Sequence, residues 1–171
     1  MSLSAAPNPF GAFETSQVDA NQVEGIWKKP VNLDVINGFC QNTLVSHLQI
    51  EFTAIGENSL TATMPVAPIT HQPLGILHGG ASVVLAETIG SVAANMAVAD
   101  PFYCVGLDIN ANHVRAKRDG VVTGIATPVH LGATTQVWQI EIVDEQQHTI
   151  CVSRLTMAVL KHKRAKDKRP L

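Results

Sequence analysis

Aromatic residues make up only 5% of this 171-residue chain, with a single tyrosine, and charged residues only 15%, with a net charge of −2. A groove for single-stranded nucleic acid needs a basic track interleaved with aromatic rings. Neither Trp27 nor Trp138 lies in one, so both are expected to pack in the interior and no nucleic-acid partner is expected. Glu87, Asn95 and small polar residues interrupt the longest apolar run, around 81–99, so no stretch reaches the roughly 20 residues of a membrane span. The opening MSLSAAPNPFGAFETSQVDANQ has neither a basic segment nor a continuous apolar one, and no secretory signal is expected. Cys40, Cys104 and Cys151 are far apart and lack CxxC or zinc spacing, which reads as reduced thiols in a cytoplasmic protein. The histidines show no HExxH or HxH pair, so neither a metal nor a cofactor is expected. Ser82 lies in GASVV rather than GxSxG, and HLGATT lacks the lysine of a phosphate-binding P-loop.

What the chain does have is apolar content, 46% hydrophobic residues, and a length that suits one domain. Residues 1–24 read as a flexible extension, with Phe10 and Phe13 able to dock on a groove, and residues 162–171 as a basic, solvated tail. Between them, residues 25–161 form the expected domain. VNLDVINGFCQN (31–42) has helical spacing, and HLQIEFTAIGENSLTATMPV (47–66) alternates on both sides of a turn, as a hairpin does. A long helix is expected at about 79–98, followed by strands within 103–116, 120–132, 135–144 and 148–161. Short connections force antiparallel neighbours. The expected class is α+β, with one antiparallel sheet covering one long helix.

Projected at about 100° per residue, Leu85, Ile89, Val92 and Met96 form a bulky stripe suited to the sheet. Val83, Glu87, Gly90, Ser91 and Ala94 fall on the other side, which is too small and too uncharged to be a solvated face. A second subunit is the natural cover. Two glycines open the helix after His78, offering unpaired N–H groups and a positive dipole end where an oxyanion could be stabilised. Glu87 is about 12 Å further along the same helix, beyond the reach of its side chain. A carbonyl held at that tip would therefore meet the Glu87 of another chain, in two equivalent sites across a two-fold axis. The bland alternatives are a buried Glu87 satisfied by a neighbouring group and a His78 ring that merely caps the helix. NANHVRAKRDG sets His113, Arg115 and Lys117 on one side of an extended segment. They could bind phosphate or form a solvated strand end, and the residues alone leave both open.

HQPLGILHGGASVVLAETIGSVA (71–93) resembles the active-site segment of the hotdog-fold acyl-CoA thioesterases. VGLDINANHVRAKRDG (105–120), PVHLG (128–132) and QVWQIEI (136–142) are similar to the neighbouring blocks of that family. The resemblance runs from about residue 26 to 160 and is strongest to the 1,4-dihydroxy-2-naphthoyl-CoA thioesterases of menaquinone biosynthesis, with the enterobactin-pathway proofreading thioesterase a close alternative. Leu74 departs from it, standing where those relatives often carry an aromatic residue.

The resemblance implies a five- to six-stranded antiparallel sheet around the helix, paired into dimers and commonly tetramers. It implies that Glu87 is the catalytic carboxylate and that Ser91 positions water or an intermediate. Gln72 and His78 would come from the other subunit, with Gly79 polarising the carbonyl. His113 and Arg115, with Gly106, His130, Leu131 and Gly132, would meet coenzyme A, which is part of the substrate. The implied reaction is hydrolysis of acyl-CoA thioesters, with aromatic acyl groups preferred and an aryl carrier protein as an alternative donor. Enoyl-thioester hydration and non-hydrolytic acyl-CoA binding are the competing readings.

Overall fold

The computed structural model describes residues 25–30 and 32–162, so the expected N-terminal extension and nearly all of the basic tail lie outside it. Two short helices come first, α1 (Leu33–Phe39) and α2 (Leu44–His47), followed by the hairpin β1 (Glu51–Ile55) and β2 (Leu60–Pro65). A two-stranded ribbon, β3 (His71–Gln72) and β4 (Ile76–Leu77), leads into the long helix α3 (Gly79–Met96). Four strands complete the chain: β5 (Phe102–His113), β6 (Val121–Leu131), β7 (Thr135–Val143) and β8 (Thr149–Lys161).

The main sheet has six strands in the order β1-β2-β6-β7-β8-β5, every pair antiparallel, and α3 packs against β2 and β5 to β8. The alternation that marks β2 in the sequence is the cause of its placement. Leu60, Ala62 and Met64 are fully buried, together with Leu85, Ile89 and Met96 of the helix, while the intervening residues are half-buried. Trp138 and Ile140 of β7 and Leu155 and Met157 of β8 fill the rest of the core, and Trp138 donates its indole N–H to Gln136 Oε1.

Two glycines let the helix seat this closely. A Cβ at Gly124 would stand 2.6 Å from Ile89 Cδ1, and one at Gly90 would stand 2.6 Å from Leu155 Cδ2. The second contact corrects the helical projection. Gly90 turns toward the sheet, and Ala94 is also buried within the chain, so the open face of α3 is narrower than expected and consists of Val83, Val84, Glu87, Thr88 and Ser91.

Buried Asn95 ties the end of α3 to the start of β5. Its amide donates to Ser91 O and Cys104 O and accepts from Cys104 N–H at 2.9 Å, which satisfies polar groups that would otherwise be stranded in the core. Met96 O accepts the backbone N–H groups of Lys28 and Lys29. Lys29 Nζ, itself buried, donates to Phe102 O. No helix of the described residues is long and apolar enough to cross a membrane.

Candidate active site

The start of α3 is built by its own sequence. His78 is extended and its ring Nδ1 accepts the N–H of Gly80 at 2.8 Å, so in the neutral ring the proton sits on Nε2, free to donate outward. Ala81 N–H turns back to His78 O. Gly79 N–H is thus left as an amide at the positive end of the helix with no acceptor among the described residues. His113 lies directly over it, and a Cβ at Gly79 would stand 2.8 Å from His113 Nε2. Only glycine allows that approach.

The β3–β4 ribbon brings Gln72 to the same place. Gln72 Oε1 accepts Leu74 N–H at 2.9 Å, which closes the turn and leaves the amide nitrogen as the available donor. Gln72, Gly79, Ser82, His113 and Arg115 share a cavity of about 260 Å³. Arg115 is exposed and has no carboxylate partner among the described residues, which leaves its guanidinium available to an anion. Lys117 differs. It is paired with Glu145, whose carboxyl falls to about 2 because it accepts from Lys117 and from Val121 N–H.

Glu87 stands apart from this cluster. Its side chain is exposed in the single chain and makes no hydrogen bond among the described residues, so it is not the buried, locally satisfied acid of the bland reading. It opens into a separate cleft of about 510 Å³, between α3 and the α1–α2 segment. Ser91 lies one turn further in the same cleft, its hydroxyl within 3.9 Å of Met157 Sδ. Gly106 of β5 lies alongside, where a Cβ would come within 3.3 Å of Glu87 Oε1.

The residues expected at coenzyme A therefore divide within one chain. Gly106 pairs with Met157, Met157 with Gln136, and Gln136 with Leu131, so Gly106 and the 130–132 turn share one row across the sheet. His130 folds over Gly132, whose N–H closes the turn onto Thr135 O at 2.9 Å. His113 pairs with Cys151, seven residues away along β5, or about 23 Å at 3.3 Å per residue. One group holds Glu87, Ser91 and Gly106; the other holds Gln72, His78, Gly79, His113 and Arg115; the 130–132 turn lies three strands from Gly106, about 14 Å at 4.8 Å per strand. No single chain brings the two together.

Sequence reasoning missed the far wall of the Glu87 cleft, made by Ile36, Phe39, Cys40, Thr43, Leu44 and Val45. The exposed Phe39 and Leu44 on helices too short to bury them were the available signal. Cys104 and Cys151 are buried and Cys40 half-buried. Burial pushes all three thiols up, Cys104 to about 11, so none is poised as a thiolate nucleophile. Among the described residues no cluster of three His, Cys, Asp or Glu is placed to hold a metal ion.

A family model described as the thioesterase superfamily matches residues 74–151, the span from the β3–β4 turn to the start of β8. The 1,4-dihydroxy-2-naphthoyl-CoA hydrolase of Escherichia coli is 53% identical over 79% of this chain and 99% of its own length. This chain belongs to the thioesterase superfamily. The proofreading thioesterase EntH of Cronobacter turicensis is 49% identical over 79% of this chain and 98% of its length. A crystal structure of a thioesterase from Haemophilus influenzae superposes with a TM-score of 0.78 at 53% identity, covering 80% of this chain and 95% of that one. The six-stranded sheet around α3 is thus the hotdog fold, and the protein is a thioester hydrolase. In this thioesterase the matched segment contains Glu87, Ser91 and Gly106 and all of the second group except Gln72.

Proposed function

We propose that this thioesterase hydrolyses aromatic acyl-CoA thioesters of the 1,4-dihydroxy-2-naphthoyl type in the cytoplasm, at sites assembled from two chains. The observation that carries the two-chain site is the division just described, in which a lone carboxylate in an apolar cleft and an unpaired amide beside a free guanidinium lie on opposite stretches of one helix and strand. Edge strand β5 supports pairing with a second copy. Its first residues are engaged, Phe102 O by Lys29 and Cys104 by Asn95, but beyond Cys104 it is an edge of the sheet, and Val105 and Leu107, 40% and 62% exposed, flank Gly106.

The parts suit the chemistry. A thioester carbonyl is already electrophilic and thiolate leaves readily, so polarisation by Gly79 N–H at the helix tip, with Gln72 and His78 Nε2–H as neighbouring donors, lowers the barrier without further machinery. Glu87 of the other chain acts on that carbon, either by direct attack or by taking a proton from water that Ser91 positions. Single-turnover reaction in oxygen-18 water tests direct attack, because label in the Glu87 carboxylate marks an acyl-glutamate anhydride opened by water at its glutamyl carbon. His113 and Arg115 take the coenzyme A phosphates, with Gly106 and His130 to Gly132 close to the nucleotide. No metal or cofactor takes part.

The relatives named as a naphthoyl-CoA hydrolase and as a proofreading thioesterase are almost equally similar, so an aryl carrier protein is the second candidate donor. The test is a panel of benzoyl, hydroxynaphthoyl, phenylacetyl and aliphatic thioesters on both carriers. A highest kcat/KM for hydroxynaphthoyl-CoA supports the proposal. Preference for aliphatic chains or for the carrier protein contradicts it.

A further inference from the structure

The wall of the Glu87 cleft opposite α3 is the α1–α2 segment, and it is not part of the sheet. Leu33, Cys40 and Val45 rest partly buried against the core, but few of its side chains are fully enclosed. In α1 only Ile36 is buried, and α2 has no buried residue. The α2 end is tied to the chain that continues into β1 by Ile50 N–H donating to Val45 O at 2.9 Å. The α1 end is held by a side chain. Asn37 Nδ2 donates to Phe52 O at 3.0 Å and Asn37 Oδ1 accepts Phe52 N–H at 2.9 Å. Because β1 is the terminal strand of the sheet, this amide occupies the free edge as one residue of a further strand would. A planar group bonded at two points fixes both the height and the rotation of α1. Asn37 itself does not line the cleft; its neighbours Ile36, Phe39 and Cys40 do.

Resting on the proposed attack of Glu87 on the thioester carbon, which puts the acyl group in the cleft that Glu87 lines, we infer that the α1–α2 segment gauges acyl size and that Asn37 is the positioning residue that sets the gauge. A bulky acyl group touches both α3 and the Ile36–Phe39–Cys40 wall, whereas an acetyl group at Glu87 does not reach that wall. Loss of the Asn37 contact lets α1 drift and removes wall contacts from large acyl groups alone.

The test uses the full-length protein with acetyl-, hexanoyl-, benzoyl- and hydroxynaphthoyl-CoA. Asn37→Ala is expected to raise KM for the naphthoyl substrate about tenfold, with kcat held within about threefold and acetyl-CoA kinetics within about twofold. Asn37→Asp keeps the acceptor for Phe52 N–H but loses the donor to Phe52 O, and is expected to fall between wild type and Asn37→Ala.

Cys40 supplies an independent readout, since Cys104 and Cys151 are buried and a maleimide reaches Cys40 first. The Cys40 adduct is expected to abolish naphthoyl turnover while sparing acetyl-CoA, and the labelling rate is expected to rise in the Asn37→Asp and Asn37→Ala proteins. An adduct that leaves every thioester unaffected shows that the acyl group binds elsewhere, and the reading and the inference fall together. An adduct that blocks large acyl groups, combined with Asn37 variants that lower kcat/KM equally for every acyl size or leave it unchanged, overturns the inference alone. If Asn37→Ala does not fold, Asn37→Asp and its labelling rate decide the matter.

Discussion

Replacing Glu87 by glutamine separates a catalytic carboxylate from a structural one, because the two predict opposite pairs of results. The substitution keeps the shape and removes the negative charge and the basicity. In the chain Glu87 is exposed and has no hydrogen-bond donor among the described residues; Gly106 is the close neighbour on β5. Its removal strands no buried group, so stability should change by less than about 0.5 kcal/mol, which for a domain of this size is a shift of about 2 °C or less in Tm. The rate should respond very differently. Loss of a nucleophile or general base is expected to cut kcat by about a hundredfold or more, equivalent to about 2.7 kcal/mol of transition-state stabilisation, with KM for acyl-CoA little changed. Thiol release followed with a disulfide reagent measures the first, and a thermal melt the second. Hydrolysis within about threefold of wild type across the thioester panel would refute the assignment and place the catalytic group elsewhere. A Tm lowered by more than about 5 °C would make Glu87 a structural residue instead.

Three further outcomes follow from single contacts. Gly79→Ala places a methyl where His113 now lies, 2.8 Å from Nε2, so the ring must move, and kcat/KM should fall about tenfold to a hundredfold; unchanged kinetics would remove both groups from the site. Asn95→Leu fills the space but leaves Cys104 N–H and two carbonyls without their partner, and urea unfolding should show a loss of about 2–4 kcal/mol. The carboxyl of Glu145 is held at about 2, below its ordinary 4.5, so its contribution to stability is present above pH 4.5 and is lost as pH falls toward 2. Melts of wild type and Glu145→Gln should therefore differ near neutrality and converge over that window. A constant difference across it would contradict the pairing with Lys117.

Much of this was legible because it depends on periods. Leu60, Ala62, Met64 and Val66 alternate in the sequence and are all buried, and the strands after α3 followed their predicted runs within two or three residues. The features that escaped lack a period. Helix α2 is four residues long, closed by Thr43 and Ser46 capping each other's backbone. The β3–β4 ribbon has two residues in each strand and is held from outside, by Leu77 N–H on Lys117 O and His78 N–H on Thr70 O. Gly90 was misplaced because a wheel ranks faces by side-chain size, whereas a missing Cβ also marks the closest approach to another element. For the site, a lone carboxylate and a glycine pair two turns apart on one helix were visible in the sequence. Which residues wall the Glu87 cleft was not, since α1 is positioned by a side-chain amide on a distant strand edge.

Subunit mixing addresses the shared site itself. One chain carries Glu87→Gln, the other carries both Gln72→Ala and Gly79→Ala, and the two are unfolded and refolded together in equal amounts. Half of the resulting dimers are mixed, each holding one site with both wild-type halves, so recovery of about a quarter of wild-type activity is expected from two nearly inactive parents. Activity no greater than the sum of the parents, or full activity from a stable wild-type monomer, would contradict a site shared between chains.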